Sequence, residues 1–400
     1  MAAPKLRFEK YNEVWNSYKL IDIAKIYDGT HQTPNYVEQG VPFYSVEHVT
    51  ANDFSNTKFI AEEVYQSELK RVSLQKGDIL MTRIGDIGTS RLIDWDVRAS
   101  FYVSLALIKV TGKNNSVFIN QYIKSRQFQK ELHDRTIHVA FPKKINLGEI
   151  GLCKIQLPEI EEQTKIASFL SAIDEKISQL TQKHELLSQY KQGMMQKLFS
   201  QQIRFKADDG SEFGEWEDGS LGDITAIQGG YAFKSNSFGK GATKVLRIGD
   251  IRNNIFLDCF DGVNSDEIPD ARYLVSNDAI VMALSGATFG KLGKVKIGSA
   301  YINQRVATFK VNEKTTNEYV YQIMLSKDFF NYIQSIPSAS AQPNISNQDV
   351  LNFEMLIPCL EEQTKIANFL SAIDQKINMV AQQIEQTKLW KKGLLQQMFV

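Results

Sequence analysis

The chain has 400 residues, enough for two or three domains that each bury a core. Hydrophobic residues at 43% and charged residues at 23% are the proportions of an ordinary folded protein, which excludes a disordered or fibrous one. Lys plus Arg number 46 and Asp plus Glu number 46, so any nucleic-acid surface has to be a local cluster of cations rather than a global basic field.

Residues 1–16 read as an arm. Its opening, "MAAPKLRFEK", has no apolar h-region, and no run in the chain approaches the roughly 18 apolar residues of a membrane span, so a cytoplasmic protein is expected. Residues 17–157 read as a first variable domain of α+β type. The β-rich run "SFYVSLALIKV" from Ser100 alternates with Gly, Asn and Asp turns, and the helical patch "INQYIKSRQFQKEL" from Ile119 comes after it. Polar loops interrupt this domain at "DGTHQTPNY", "SVEHV" and "MTRIGDIGTSRL". They supply Thr30, His31, Gln32, Asn35, Tyr36, His48, Thr82, Arg83 and Arg91, and Lys143 and Lys144 lie near the domain's end. Asn and Gln pair bidentately with adenine, and Arg or Lys with guanine, so these side chains are candidate DNA contacts. Solvated turns have the same composition, and the loops by themselves do not separate the two readings.

Residues 158–202 read as a long helix introduced by Pro158, with Glu161 and Glu162 in its first turn as the helix dipole favours. Ile166, Leu170, Ile173 and Ile177 step by alternating fours and threes, and the stepping continues through Leu180 to Leu198. That is a coiled-coil seam, on a rod of roughly 60 Å. Packing of each rod on its own domain is the competing reading, and the spacing leaves parallel and antiparallel pairing both open. Lys191 falls on the seam, where a polar residue specifies register at some cost in stability.

Residues 203–357 then repeat the arm and the variable domain, and residues 358–400 repeat the helix. "LRF" at Leu6 returns as "IRF" at Ile203, Trp15 as Trp216, and Leu20 as Leu221. "LQKGDIL" aligns with "LVSNDAI", which pairs Asp78 with Asp278 and Gly77 with Asn277, an Asn being tolerant of a left-handed turn. "AYINQRVATFKV" and "NEYVYQIMLSKDFFNYI" supply the second strands and helical patch. The second set of candidate contacts is Tyr231, Lys234, Asn236, Arg247, Arg252, Thr288, Lys291, Gln342 and Asn344. "EEQTKIASFLSAID" at Glu161 becomes "EEQTKIANFLSAID" at Glu361, with the seam at Ile366, Leu370, Ile373 and Ile377 and a lysine again at Lys391.

No catalytic motif is complete. "SGATFGKLG" is one residue short of a P-loop between Gly286 and Gly290 and has Leu292 after Lys291, so it reads as a tight strand connection. No [DN]-P-P-[FY] tetrapeptide of a methyltransferase occurs. "ELK" at Glu68–Lys70 with Asp53 would suit a metal nuclease, but it lies in a charged, helix-like "AEEVYQSELKR". Cys153, Cys259 and Cys359 are isolated, and no H-E-x-x-H is present, so no metal site is expected.

Arm, variable domain and a helix opening "P…EEQxKIAxFLxxID", twice over, resembles the specificity subunits of type I restriction-modification enzymes across essentially all 400 residues. The resemblance implies an α+β fold with two α/β target recognition domains joined by two long helices that pair as an antiparallel coiled coil, a pseudo-twofold internal repeat. It implies a non-catalytic subunit of a cytoplasmic phage-defence system, whose two domains each read half of a bipartite asymmetric sequence in double-stranded DNA. It further implies docking to two modification subunits that methylate adenine with S-adenosylmethionine, and to restriction subunits that translocate and cleave with ATP and Mg²⁺. No cofactor is expected in this chain itself. A scaffold that binds only protein and a self-contained nuclease are the alternatives.

Overall fold

Pro158 and Pro358 end the strands before them, and the segment after each proline is free of Gly and Pro for more than thirty residues. These segments form the two long helices, Ile160–Phe199 and Leu360–Met398. The computed structural model describes residues 4–336 and 344–399. The chain divides into two compact units, Met1–Thr181 with Ala381–Val400, and Gln182–Val380, so each long helix gives one end to each unit.

In unit 1 the arm fixes the direction of the helix pair. Leu6 N donates to Gln397 O at 3.0 Å while the next residue, Arg7, grips Glu162, which sets the start of the first helix beside the end of the second. Phe169, further along the first helix, meets Trp390, earlier in the second, with ring centroids 6.2 Å apart. The two segments are therefore antiparallel. Unit 2 repeats the device with the helices exchanged: Ile203 N donates to Lys197 O at 3.2 Å, Arg204 grips Glu362, and Lys191 meets Asp374.

Ile166, Leu170 and Ile173 are buried with Leu394 and Met398 in unit 1, and Ile366, Leu370 and Ile373 with Met195 and Leu198 in unit 2; Ile177 and Ile377 are partly buried at the margins. Each stripe also packs on its own domain, against Trp15 and Phe118 in one unit and Trp216 and Tyr319 in the other, so helix pairing and domain packing share one core. The seam lysines are neutralised across the pair: Lys191 Nζ lies 2.7 Å from Asp374 and Lys391 Nζ 2.5 Å from Asp174.

The domains are α+β. In unit 1 an antiparallel sheet orders Ala24–Asp28, Leu105–Val110, Ile79–Ile84 and Asp86–Leu92, beside a smaller sheet of Tyr36–Val37, Lys58–Ile60, Val41–Tyr44 and Ser100–Phe101. In unit 2 the corresponding order is Thr225–Gly229, Val306–Val311, Ile280–Ala283, Leu292–Ile297 and Asn254–Phe256. Each helical patch is two helices, Ser116–Ile123 with Arg126–Arg135 and Asn317–Met324 with Lys327–Ser335. Ser125 and Ser326 separate them, each hydroxyl accepting from the backbone N of Phe128 or Phe329 as an N-cap.

One alignment expected from sequence is corrected by a residue. Gly77 has φ +93° and its N donates to Ile93 O, and the position that does the same in unit 2 is Asp278, with φ +66° and a bond to Val295 O. Gly77 therefore matches Asp278 rather than Asn277, and Asp78 loses its expected counterpart; the shared turn sets the register, not the shared letter.

Glu162 has only 2% of its side chain exposed and takes a bidentate pair from Arg7, Nε and Nη2 both at 2.7 Å. Arg7→Ala leaves that carboxylate buried without its cation and costs about 3–5 kcal/mol in urea unfolding. Arg204→Ala costs less, because Trp216 Nε1 still donates to Glu362 at 2.9 Å, whereas Trp15 Nε1 has no such bond. Equal losses for the two variants contradict this account.

Lys124, at the helix break, is largely buried near Lys391, Arg91 and Asp174, and its pKa is pushed down to about 8, chiefly by burial. The second copy carries Leu325 at this break. Because the folded pKa lies below the ordinary 10.5, the penalty for holding the charge is full below pH 8 and fades as pH rises to 10.5. Lys124→Leu is therefore expected to raise stability by up to about 3 kcal/mol at pH 7, with the gain shrinking through that window in thermal melts. A gain that does not change with pH removes titration of Lys124 as its source.

Candidate nucleic-acid interface

The polar loop of unit 1 begins at Gly29, where close approach leaves no room for a side chain: a Cβ there would stand 2.0 Å from Phe101 O. Thr30 N donates to Phe101 O at 3.1 Å and Val103 N to Thr30 O at 2.9 Å, which pins the loop to the neighbouring strand. Gly230 repeats the contact against Asn303 O, again at 2.0 Å, with Tyr231 bridging Asn303. From this pinned base, His31, Gln32, Asn35 and Tyr36 are exposed. His31 Nε2 pairs with Asp28 at 2.7 Å.

Tyr36 also lines a cavity of about 610 Å³ with Phe43, Tyr102, Glu47, Lys58 and Asp86. Lys58 Nζ stands 4.7 Å from the centre of the Tyr36 ring. Aromatic faces for stacking, two carboxylates that accept from amino groups, and one lysine donor are the chemistry of base-edge and phosphate contact. Of this set, only Tyr36 was expected from sequence. Glu47 and Asp86 lie inside the polar stretches of the sequence, next to the residues expected to make contact, while Lys58 and Tyr102 are brought in by strand pairing.

Four expected contacts are taken inward. His48 is buried, and its Nδ1 accepts from Ser45 N at 2.9 Å beside Tyr44 and Phe54. Thr82 is buried and donates to Asp86 at 2.9 Å. Arg83 is 9% exposed, with Nη1 donating to Val103 O at 2.6 Å and Nε to Ile145 O at 3.3 Å, and burial lowers its pKa. Arg91 is turned towards the helix pair: burial lowers its pKa while the charge of Asp174 raises it, and its Nη1 donates to Ser90 O. Arg83 lies in a strand buried on both faces and Arg91 in the strand beside it, a burial that polar composition does not record. Lys143 and Lys144 are exposed, on a loop bonded to the Gly85 turn by Gly85 N to Lys143 O at 2.8 Å.

In unit 2, Lys234, Asn236 and Arg252 are exposed and Tyr231, Arg247, Thr288 and Lys291 half-buried. Tyr231 donates to Glu267 at 3.0 Å, which raises its pKa, while the backbone N of Lys234 bonds the same carboxylate and helps lower that of Glu267. Arg247 pairs with Asp250 at 3.3 Å, and Arg252 caps the carbonyls of Gly249 and Ile251. Thr288 reaches Ile248 O, and Thr288 and Lys291 line a cavity of about 460 Å³ with Asn253 and Phe330. Asn344 accepts from Arg305 at 3.2 Å and bridges Ser285. Gln342 lies outside the described residues. Among the described residues no group of His, Cys, Asp and Glu could hold a metal ion, and no helix is long and apolar enough to cross a membrane.

A model of the type I restriction modification DNA specificity domain matches this chain twice, over residues 12–189 and 214–389. The chain is 32% identical over 257 residues to the type I restriction enzyme MjaVIII specificity subunit of Methanocaldococcus jannaschii, a match that spans 60% of each chain. It is 27% identical to the putative MjaX specificity subunit of the same organism, over 96% of this chain and 92% of the relative. Its fold matches the crystal structure of a type I restriction-modification S subunit from M. genitalium, with a TM-score of 0.63 at 16% identity over 100% of this chain and 99% of the other. A chain from a structural study of assembly and conformational transition in a type I system gives a TM-score of 0.55 at 13% identity, covering 96% of this chain and 97% of its own.

Proposed function

Because this chain belongs to the type I restriction modification DNA specificity family, we propose that it selects the DNA sequence on which a type I complex acts, each of its two domains reading one half of a bipartite target. The observation that carries this reading is the contrast between frame and loops. Glu162 and Glu362, Gln163 and Gln363, and Asp174 and Asp374 do the same work in both units, while the loops pinned at Gly29 and Gly230 present different side chains. A repeated frame with unrepeated exposed loops is suited to one kind of partner held twice and two different half-sites.

In this reading the chain performs no chemistry. Two modification subunits dock on the helical frame and supply adenine methylation with S-adenosylmethionine; restriction subunits supply the ATP- and Mg²⁺-dependent steps. The exposed cations place the protein on phosphates, and the polar loop tips and the Tyr36 cavity discriminate bases.

The test is methylation-site mapping with complexes assembled on variant chains. Lys143→Ala with Lys144→Ala is expected to weaken DNA binding for all sequences, to reduce the salt slope by about two units, and to leave the methylated sequence unchanged. Gln32→Ala with Asn35→Ala is expected to relax one half-site, each lost base contact costing roughly 1–3 kcal/mol of discrimination, and to leave the other half-site as it was. A first-domain substitution that alters both half-sites overturns the modular reading.

A further inference from the structure

The loop between the helix Arg126–Arg135 and Ile145 carries the two most exposed large apolar side chains among the described residues: Val139 at 97% and Phe141 at 104%. Single exposed apolar residues are ordinary on a protein surface. Here two of them stand two residues apart on a loop whose ends are held. Ile137 N donates to Lys144 O at 2.8 Å, Gly85 N to Lys143 O at 2.8 Å and Ile145 N to Arg83 O at 3.0 Å. The buried Arg83 guanidinium bonds Ile145 O just beyond the loop, and Thr136 and His138 bond the carbonyls of Leu132 and His133 at its start. Among the described residues none covers the tip, yet the stem is built.

Two further observations say what covers it. From Thr136 to Asn146 there is no Asp or Glu, while exposed Lys143 and Lys144 come directly after the tip, so the loop's own charge is positive. The loop is also not repeated: the same interval of the second half, between Ile336 and Asn344, reads "PSASAQP", with no aromatic and no cation. A surface for a partner common to both halves would be written twice, as the helical frame is. A feature of one half belongs to whatever differs between them, and in the function proposed above that is the DNA half-site.

We propose that Phe141, with Val139, is a wedge that enters the base stack of duplex DNA at the half-site read by the first domain, with Lys143 and Lys144 on the flanking phosphates. This rests on the DNA-reading function proposed above. Apolar wedges of this kind unstack a base step and kink the duplex, their insertion repaid by the contact surface the bend creates. The distortion is confined to one half-site, because the second half has no counterpart.

The experiment uses the complete complex of this chain with its modification subunits on duplexes carrying its mapped target. 2-Aminopurine is placed at successive positions other than the methylated adenine, and end-to-end energy transfer reports bending. The wild-type complex raises fluorescence at one step of the first half-site and bends the duplex by roughly 20–90°. Phe141→Ala loses most of both signals while its subunits stay together, and Phe141→Leu, which keeps an apolar wedge, retains them. A wild-type complex that discriminates its target without a step-specific signal refutes the wedge alone, as does a signal that Phe141→Ala leaves intact. Loss of the modification subunits from the Phe141→Ala complex also refutes it, since the tip then faces protein. A complex that discriminates no sequence refutes the underlying function as well.

Discussion

The arrangement depends on a carboxylate buried at the start of each long helix. Glu162 and Glu362 are all but inaccessible, and a charge so placed is tolerable only with a cation and hydrogen bonds to match. The arm supplies them through Arg7 and Arg204, more than 150 residues away in sequence. Around that bond the glutamine, phenylalanine and aspartate of "EEQTKIAxFLSAID" make the same contacts in both copies. The Gln side chain ties the proline-containing turn to the segment before the next domain helix, through Asn115 in one unit and Thr315 and Lys314 in the other. Phe169 and Phe369 receive the arm phenylalanines edge-on, both at 5.7 Å. Asp174 and Asp374 take a glutamine from the domain and a lysine from the opposing helix. One short stretch joins arm, domain and partner helix, which is why it tolerates so little difference between its copies.

The two copies differ in how well they close this joint. Trp216 adds a third donor to Glu362, and Glu318 in unit 2 balances Lys294 and accepts from Ser371 and Gln322. In unit 1, Val117 is the corresponding residue, Trp15 Nε1 has no acceptor among the described residues, and Lys391, Lys124 and Arg91 crowd the single carboxylate of Asp174. Charge at the centre of unit 1 is thus less fully compensated, and Lys391 and Arg91 add to the burial that lowers the pKa of Lys124.

In unit 1 the candidate contact loops are separated from this frame by packing of their own. Tyr44, Leu80, Phe101 and Leu107 form one satellite core and Val41, Phe43, Ile60 and Tyr65 another, apart from the cluster that includes the helix seam. Loops mounted on satellite cores can change sequence without disturbing the Arg–Glu joint, because the two share few packed side chains. Arg83 shows the link between the layers: buried, it bonds Ile145 O at the end of the exposed loop that carries Phe141 and the two lysines.

Length, repeat and periodicity determined the architecture without any structure. Two arms, two α+β domains and two seamed helices were legible because helix period, proline breaks and internal identity are local properties of the chain. The exposed loop residues His31, Gln32 and Asn35 were legible for the same reason, as a polar run beside a glycine. What tertiary structure alone decided is where each end of a helix packs and which way a strand residue faces. That the end of the second helix packs in unit 1 rests on pairs such as Leu6 with Gln397 and Lys391 with Asp174, whose partners lie far apart in sequence. Thr82 and Arg83 lie in a strand buried on both faces and Arg91 in the strand beside it, and polar composition does not record that burial. The match of Gly77 to Asp278 was hidden likewise, because a left-handed turn constrains φ and hydrogen bonding rather than residue identity.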